Sequence, residues 1–337
     1  MDPSARDRAF MLMSGYRATQ MLGAVTELRI PDLVADGPRT AADLAAATGV
    51  LAEPLRRVLR GLVAVGVFVE VDGDRFAATE VSDWFRDRPG SLRGMTLMFV
   101  RTSYRAFADI MYTLKTAEPA FEYVYSMSRW EHMVQHPEEA LLFNTAMQFG
   151  TEQVRDAIAA AYDFTGLLSL VDVGGGRGTL IAGLLKANPH LRGMVFDIEA
   201  GLAESEAYLK QEGVLDRCVI KRGSFFDHVP PGHDAYVLKS IIHDWSDEKA
   251  AVILANCRKA VGPGRRLILI EQIEPTRSED SARARDVFMG DVLMMVMLGG
   301  RERTVEEFRA LLETAGFQLT RVIPTESRFQ LIEAIPA

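Results

Sequence analysis

The chain has 337 residues, which is long enough for two domains, and 48% of them are hydrophobic, which is enough for sizeable cores. Its formal net charge of -8 argues against proteins that coat nucleic acid or lie on membrane surfaces, because both usually carry a basic balance. The only cysteines, Cys218 and Cys257, lack the spacing of a disulfide framework or a zinc site. The N-terminus lacks the pattern of a signal peptide, and no apolar run is as long as a membrane span. We therefore expect a cytoplasmic globular protein with no nucleic-acid or membrane partner.

The first hundred residues predict three helices followed by a β-hairpin, because helical apolar spacing gives way to two short strand-like runs around Asp72-Gly73. The helical patterns cover Phe10 to Val25, Thr40 to Gly49 and Leu51 to Val65, and the strand-like runs are 67–71 and 75–77. This order is typical of a winged helix. The pattern is helical again from Tyr104 to Ala161, with breaks near Pro119 and Pro137. We expect an N-terminal domain over 1–100, a helical connection over 101–160 and a second domain over 161–337.

The second half alternates strand-like and helical runs, which predicts a parallel sheet with helical crossovers. The strand-like runs are Leu167 to Val173, Gly193 to Ile198, Cys218 to Lys221, Ala235 to Ile242 and Arg266 to Ile273. Two final runs, Phe317 to Pro324 and Phe329 to Ile335, are joined by a short polar loop and must therefore be antiparallel neighbours. The fold class is thus α/β, a Rossmann-like sheet with an antiparallel C-terminal hairpin, preceded by a helical winged-helix-like domain.

The strongest chemical signal is the segment LVDVGGGRGTL, in which a strand ending at Val173 runs into a glycine cluster and then a helix. Gly174, Gly176 and Gly178 have the spacing G-x-G-x-G, whereas a dinucleotide fingerprint needs G-x-G-x-x-G. S-adenosylmethionine (SAM) is a candidate ligand for this loop. SAM carries no phosphate, so a loop that binds it does not need the phosphate-binding glycine spacing. A tight turn in an unrelated α/β fold is the alternative. Asp197, about 20 residues downstream at a strand end, can accept hydrogen bonds from both ribose hydroxyls of a nucleoside, although a solvated aspartate is common there.

His243 follows the run Val237 to Ile242 and is placed at the carboxyl end of the predicted sheet, where open α/β sheets bind ligands. Its ordinary pKa near neutrality suits a general base, while a structural histidine capping the next helix is an even alternative. Glu271, at a strand end, and Glu302, in the loop GGRERT, can orient such a base through its second nitrogen. Glu302 can equally be an exposed acid among arginines. The methionine-rich run from Asp291 to Leu298 is either core or pocket lining.

The segments LVDVGGGRG, IIHDWSDEKA and GGRERTVEEF occur in the order and spacing of one family. The chain resembles the O-methyltransferases of the plant caffeate and bacterial natural-product type across essentially its whole length. The resemblance implies SAM as methyl donor, S-adenosylhomocysteine as product, no metal, a small-molecule acceptor and a homodimer with interlocking N-terminal helices.

The resemblance also assigns residue roles, with His243 as catalytic base beside Asp244 and flanked by Glu271 and Glu302. It places at the cofactor Asp172, Gly174, Gly176, Asp197, Gly223, Ser224, Phe225 and Lys239. It places at the acceptor Phe143, Met147, Leu293 and Met297. Ser224 stands where the family usually has an acidic residue that contacts adenosine, so that contact differs here, and Phe225 can cover the adenine face.

The predicted reaction is methyl transfer to an oxygen. Three other classes of protein are possible alternatives. A winged-helix regulator is suggested by Arg56, Arg57 and Arg60 on the third helix, but the acidic net charge disfavours it. An NAD-dependent oxidoreductase is disfavoured by the glycine spacing. The third alternative is a SAM-binding protein that catalyses a reaction other than methyl transfer. Within methyl transfer, an amine instead of a hydroxyl is also possible as the acceptor group.

Overall fold

The computed structural model describes residues 4–275 and 281–337, without the side chains of residues 282 and 283. The chain divides into two compact units, Met1–Arg105 and Ala106–Ala337. Among the described residues, no helix combines the length and the apolar character that crossing a bilayer requires.

The first unit contains the three predicted helices and the hairpin. Its helices are α1 (Ala5–Glu27), α2 (Ile30–Leu33), α3 (Ala41–Thr48), α4 (Ala52–Ala64), α5 (Glu80–Asp83) and α6 (Arg93–Met98), followed by a π-helical turn, Phe99–Ser103. Its strands are β1 (Arg39–Thr40), β2 (Phe68–Val71) and β3 (Arg75–Ala78). β3 pairs antiparallel with both β1 and β2, so the hairpin becomes a three-stranded wing. Apolar residues from α1, α3, α4 and the wing form one core.

The second unit is built on a seven-stranded sheet in the order β6-β5-β4-β7-β8-β10-β9. Its strands are β4 (Ser169–Val173), β5 (Arg192–Asp197), β6 (Cys218–Arg222), β7 (Ala235–Lys239), β8 (Arg266–Glu271), β9 (Phe317–Pro324) and β10 (Gln330–Pro336). The pairs from β6 to β8 are parallel, and β10 is antiparallel to both β8 and β9. The predicted fold class, including the antiparallel C-terminal hairpin, is confirmed.

Helices cover both faces of this sheet. The helices of the second unit are α7 (Tyr104–Ala108, which starts in the first unit), α8 (Ile110–Thr116), α9 (Ala120–Tyr125), α10 (Arg129–Gln135), α11 (Pro137–Glu152), α12 (Arg155–Ala161), α13 (Thr179–Ala187), α14 (Ser205–Gln211), α15 (Asp247–Ala260), α16 (Ala282–Met297) and α17 (Val305–Thr314). Not all of them pack on the sheet, because α7, α8, α9 and α16 share a separate apolar cluster. Alternate β4 residues point to opposite faces: Leu170 packs with α12 to α14, whereas Val171 packs with α15 and α17. Each fully buried Leu or Ile contributes about 1.5–3 kcal/mol, so the two cores hold the strand ends rigidly in place.

The largest departure from the predicted elements lies after β7. The sequence predicts a strand as far as Ile242, but β7 ends at Lys239 and a 3₁₀ turn, Ile242–Asp244, carries His243. Ser240 has φ +53°, in the left-handed region, which ends the extended conformation. The N-cap position of the helix that follows is Ser246 and not His243, so the interpretation of His243 as a helix cap is wrong.

Candidate active site

The predicted chemical residues gather along the carboxyl ends of β4 to β8. Chain order reverses between β4 and β7, and the crevice at such a switch point is where open α/β sheets bind ligands. The loop after β4, Asp197 on β5, Lys239 on β7 and Glu271 on β8 all lie at this edge.

The loop after β4 makes its turn with backbone conformations that favour glycine. Gly174, Gly176 and Gly178 have φ values of +73°, +54° and +85°. A Cβ on Gly174 would lie 2.4 Å from Ile241 Cδ1, so a side chain there would force Ile241 to shift. The Gly176 amide donates to Asp197 Oδ2 at 2.9 Å, which ties the loop to the end of β5. The glycine cluster therefore brings backbone close to the switch point, as the sequence predicts.

Two aspartates lie beside this loop, of which Asp172 is buried and Asp197 is partly buried. Burial, together with the negative charge of Asp197, raises the pKa of Asp172 to about 7, and burial raises the pKa of Asp197 to about 6. Asp172 Oδ2 is buried and has no hydrogen-bond partner among the described residues. Asp197 accepts from the Gly176 and Ile198 amides but keeps lone pairs for further donors. The site thus holds acceptor oxygens that a bound donor group can satisfy.

Lys239 ends β7 close to these acids. Burial lowers its pKa to about 8, while the charge of Glu271 opposes that shift. Its ammonium donates to Ser240 Oγ at 3.2 Å and lies 4.5 Å from the ring centre of Phe329. Ser240 itself is a non-glycine residue in the left-handed region, a strain of the kind that concentrates at functional sites.

The segment after β6 presents an aromatic face to the glycine loop. A Cβ on Gly174 would lie 3.4 Å from Phe225 Cε1, so the ring reaches the loop. Asn256 holds this segment by donating to the carbonyls of Phe225 and Phe226 at 3.0 and 2.8 Å. Ser224 Oγ accepts from the Phe226 amide at 3.2 Å, so it shapes the turn. The Gly223 amide donates to the Asp197 carbonyl at 2.9 Å.

The predicted base and both of its acids come together. His243 Nδ1 donates to Glu302 Oε1 at 2.9 Å, and Glu271 Oε2 lies 3.9 Å from the same nitrogen. Glu271 is held by the amides of Ile241 and Ile242, which donate to its Oε1 at 3.2 and 2.9 Å. Glu302 is 1% exposed, which makes the alternative of an exposed acid wrong.

The two carboxylates control the protonation of His243. Burial alone lowers its pKa, but the charge of Glu271 and the hydrogen bond and charge of Glu302 raise it to about 10. Asp244 Oδ1 lies on the opposite side of the ring, 3.4 Å from Nε2, and burial raises the pKa of Asp244 to about 6. The ring therefore has Nδ1 fixed by Glu302, and Nε2 is the nitrogen left to exchange a proton.

The same three side chains have the spacing of a metal site. One ligand atom from each of His243, Glu271 and Glu302 lies within 4.8 Å of the others, and one histidine with two carboxylates can hold Zn²⁺. Glu271 Oε2 and Glu302 Oε2 are buried without hydrogen-bond partners among the described residues. The Nδ1 hydrogen bond to Glu302 accounts for the arrangement without an ion, and the expected absence of a metal stays a prediction.

The predicted acceptor residues fall into two groups. Phe143 and Met147 lie on α11, where Phe143 packs edge-on against Trp130 with ring centres 6.0 Å apart. Trp130 in turn stacks on Trp245, two residues after His243, at 5.5 Å. Leu293 and Met297 belong to an apolar cluster of α7, α8, α9 and α16, in which Met297 is only 3% exposed. An aromatic wall thus extends from α11 to the His243 turn.

The sequence assigned no individual role to three residues of this site. Arg303 is 1% exposed and binds the backbone of the His243 turn. Asp291 accepts from the Glu302 amide at 2.9 Å, and Trp130 bridges α10 to Trp245. For Arg303 a signal was available, because it directly follows Glu302 in GGRERT; for Trp130 no motif pointed to the site.

Comparison with protein families decides the class. An O-methyltransferase domain matches residues 104–318, and an O-methyltransferase dimerisation domain matches residues 10–88. The chain belongs to the O-methyltransferase family. It is accordingly a SAM-dependent O-methyltransferase, and the comparisons favour neither a DNA-binding regulator nor a reaction other than methyl transfer.

Relatives match along nearly the whole chain. A phenazine O-methyltransferase of Lysobacter antibioticus is 37% identical, over 96% of this chain and 94% of the relative. An 8-amino-8-demethylriboflavin N,N-dimethyltransferase of Streptomyces davaonensis is 34% identical, over 98% and 95%. An O-methyltransferase from neocarzinostatin biosynthesis, solved with SAM and 2-hydroxy-5-methyl naphthoic acid, superposes with a TM-score of 0.85 at 31% identity, covering 95% of this chain and 96% of that one.

Proposed function

We propose that the protein methylates a phenolic hydroxyl of a small aromatic secondary metabolite and that His243 is the general base. The observation that carries this proposal is the asymmetric setting of the imidazole. Nδ1 donates to Glu302 at 2.9 Å, so once the imidazole has lost a proton its lone pair lies on Nε2, where it accepts a proton from the acceptor. The names of the relatives support an aromatic acceptor, since they include a phenazine and a naphthoic acid.

The residues at the switch point fit SAM. The Asp197 carboxylate has lone pairs for the ribose hydroxyls, and Phe225 offers a flat face for adenine. The buried, unpartnered Asp172 Oδ2 suits the ammonium of the methionine end, and Lys239 suits its carboxylate. Ser224 shapes the turn that holds Phe225, and Gly174, Gly176 and Gly223 leave the necessary room.

When bound, SAM supplies a methyl group activated by the neighbouring sulfonium. His243 removes the proton of the acceptor hydroxyl at Nε2, and Glu271 and Glu302 stabilise the imidazolium that forms. A phenol and the imidazolium of this site both have a pKa near 10, so proton transfer between them is close to balanced. General-base removal of this proton contributes roughly 10²–10⁴-fold to the rate.

Asp244 and the aromatic wall complete the acceptor site. Asp244 Oδ1 lies 3.4 Å from Nε2 of His243. When the imidazolium forms, Nε2 donates a hydrogen bond to Asp244. Trp130, Phe143 and Trp245 supply flat apolar surface for an aromatic ring. Met147, Leu293 and Met297 are the proposed adaptable side chains of the same acceptor site. Such a wall positions the ring and excludes water from the reacting oxygen.

We also propose that the protein acts as a homodimer. Residues 10–88 match a dimerisation domain, and α1 carries a run of exposed apolar side chains, with Leu12 85% exposed. Single exposed apolar residues are ordinary, but four in succession, Phe10 to Met13, are typical of an interface.

An amine acceptor is the second candidate, because the riboflavin relative methylates nitrogen. An aromatic amine bound as the neutral base already has its nucleophilic lone pair, so its methylation needs His243 less than that of a phenol does. Dependence on His243 therefore separates the two candidates.

The experiment is transfer of labelled methyl from SAM to a hydroxyphenazine, 2-hydroxy-5-methyl naphthoic acid and an aminophenazine, with detection by mass spectrometry. We expect a product one methylene heavier from a hydroxylated acceptor, with turnover lowered about 10²–10⁴-fold in His243→Ala. A hydroxylated product formed equally fast by His243→Ala would refute the general-base role.

A further inference from the structure

Arg303 occupies a position that no part of the proposed mechanism uses. It is 1% exposed and is the largest fully buried side chain among the described residues. Burying a guanidinium is costly unless its N–H groups are satisfied, so its partners indicate what it holds in place.

Those partners are the backbone of the turn that carries His243. Arg303 Nη1 donates to the Ile242 carbonyl at 3.0 Å, and Nη2 donates to the Trp245 carbonyl at 2.9 Å. Nε and Nη2 also donate to Asp247 Oδ1 at 2.9 and 2.7 Å, and Nη1 makes a longer contact of 3.4 Å with the Arg301 carbonyl. The guanidinium thus spans the turn from the residue before His243 to the start of α15, and all five of its N–H groups have a partner.

The backbone around Arg303 connects the same turn to both acids. Glu302 precedes Arg303, and the Arg301 amide donates to the His243 carbonyl at 2.9 Å. On its other side, Arg303 forms a parallel bridge with Ile273, two residues beyond Glu271, and its carbonyl accepts from the Glu274 amide at 2.9 Å. Arg303 therefore joins the three segments that supply His243, Glu302 and Glu271.

Gly300 shows how closely these segments pack. A Cβ at this position would lie 2.1 Å from the His243 carbonyl oxygen, so the loop and the turn are in direct backbone contact. The His243 ring leaves a turn that has few internal hydrogen bonds of its own, because a single 3₁₀ turn provides little regular pairing. The separation of Nδ1 from Glu302 consequently depends on contacts made by the 300–303 loop.

We propose that Arg303 is a positioning residue that fixes His243 against Glu302 and Glu271 and so keeps the base aimed at the acceptor hydroxyl. This inference rests on the proposed role of His243. The hydrogen bonds of Arg303 reach no residue proposed for the cofactor, and they reach the acceptor wall only at the backbone carbonyl of Trp245. Arg303 therefore acts on turnover through the turn that carries His243 and leaves the binding of SAM unchanged.

The test compares the full-length wild type with Arg303→Met, Arg303→Lys and the exposed control Arg309→Met. The readouts are kcat and KM for methyl transfer, the Kd of SAM by calorimetry, and the NMR resonance of the Nδ1 proton of His243, assigned by its absence in His243→Ala. We expect Arg303→Met to lower kcat about 10–100-fold, since small misplacements of catalytic groups cost up to about 10²-fold. Its SAM Kd stays at the wild-type value, and the Nδ1 proton resonance is lost or moves upfield.

Arg303→Lys keeps the buried charge but cannot span both carbonyls and Asp247, so its kcat falls between those of Arg303→Met and the wild type. It decides the question if Arg303→Met does not fold. A folded Met or Lys variant with wild-type kcat and an unchanged Nδ1 resonance overturns the proposal. If His243→Ala retains wild-type turnover, the general-base function has failed; a slow His243→Ala beside a fast Arg303→Met means that only the positioning role is wrong.

Discussion

The pKa of His243 provides a quantitative test of the site. In the Glu302→Gln variant the amide keeps the shape of the carboxylate and an acceptor oxygen but removes one negative charge 2.9 Å from Nδ1. The carboxylate stabilises the protonated imidazole, so its loss must lower the pKa of His243 from its raised value of about 10.

The size of this shift follows from two bounds. Exchanging a charged hydrogen bond for a neutral one costs roughly 1–2 kcal/mol, which is about one pKa unit. Removing a full charge about 4 Å away at an effective dielectric constant of about 20 costs about 4 kcal/mol, which is about three units. We therefore expect the pKa of His243 to fall by about one to three units in Glu302→Gln.

The assay is a pH titration of the imidazole nitrogens by NMR in protein labelled with ¹⁵N-histidine. The chain has six histidines, and the His243 signal is the one missing from His243→Ala. The exposed Glu306→Gln is the matched control, because it removes the same charge four residues away. We expect the titration midpoint of His243 to fall in Glu302→Gln and to stay in place in the control. A midpoint that stays in place or rises in Glu302→Gln would refute the proposed electrostatics.

Other substitutions test other parts of the account. Gly174→Ala forces a Cβ to 2.4 Å from Ile241 at φ +73°, so it should cost about 1–3 kcal/mol, lower the melting temperature and weaken SAM in calorimetry; a wild-type Kd would contradict the close approach. Asp197→Asn removes the charged acceptor for the ribose, so the Kd of SAM should rise about 10–100-fold, and an unchanged Kd would exclude that contact. Leu12→Asp with Met13→Asp should convert a dimer of about twice 37.3 kDa to a monomer in light scattering, whereas a wild-type protein that is already monomeric would refute the dimer.

The sequence predicts the fold well because its signals are local. Alternation of buried strands with helices requires a parallel sheet, and the short loop between Pro324 and Phe329 requires the antiparallel hairpin. The strand-end position of Glu271 and the glycine turn at Gly174 follow from the same pattern. These features depend on residues close together in the chain.

Features that depend on distant contacts were not accessible in this way. The charged residues of GGRERT are equally compatible with an exposed loop and with a buried one. Glu302 and Arg303 are buried because their loop packs against the turn that carries His243, a contact between distant parts of the chain. The early end of β7 was also missed, since Ser240 adopts an αL conformation that its residue type does not favour. Trp130 reaches the site from α10 through stacking on Trp245, 115 positions later, which no motif encodes.

The central claim is His243-dependent methylation of an aromatic hydroxyl, and the most direct test is the initial rate of labelled methyl transfer from SAM to the hydroxylated acceptors. Wild type and His243→Ala are compared across pH 6 to 10, with SAM binding measured for both. We predict product from wild type, a rate that rises with pH as His243 loses its proton, and a loss of about 10²–10⁴-fold in His243→Ala with an unchanged SAM Kd. Equal rates for the two proteins, with the same product and the same pH dependence, would contradict it.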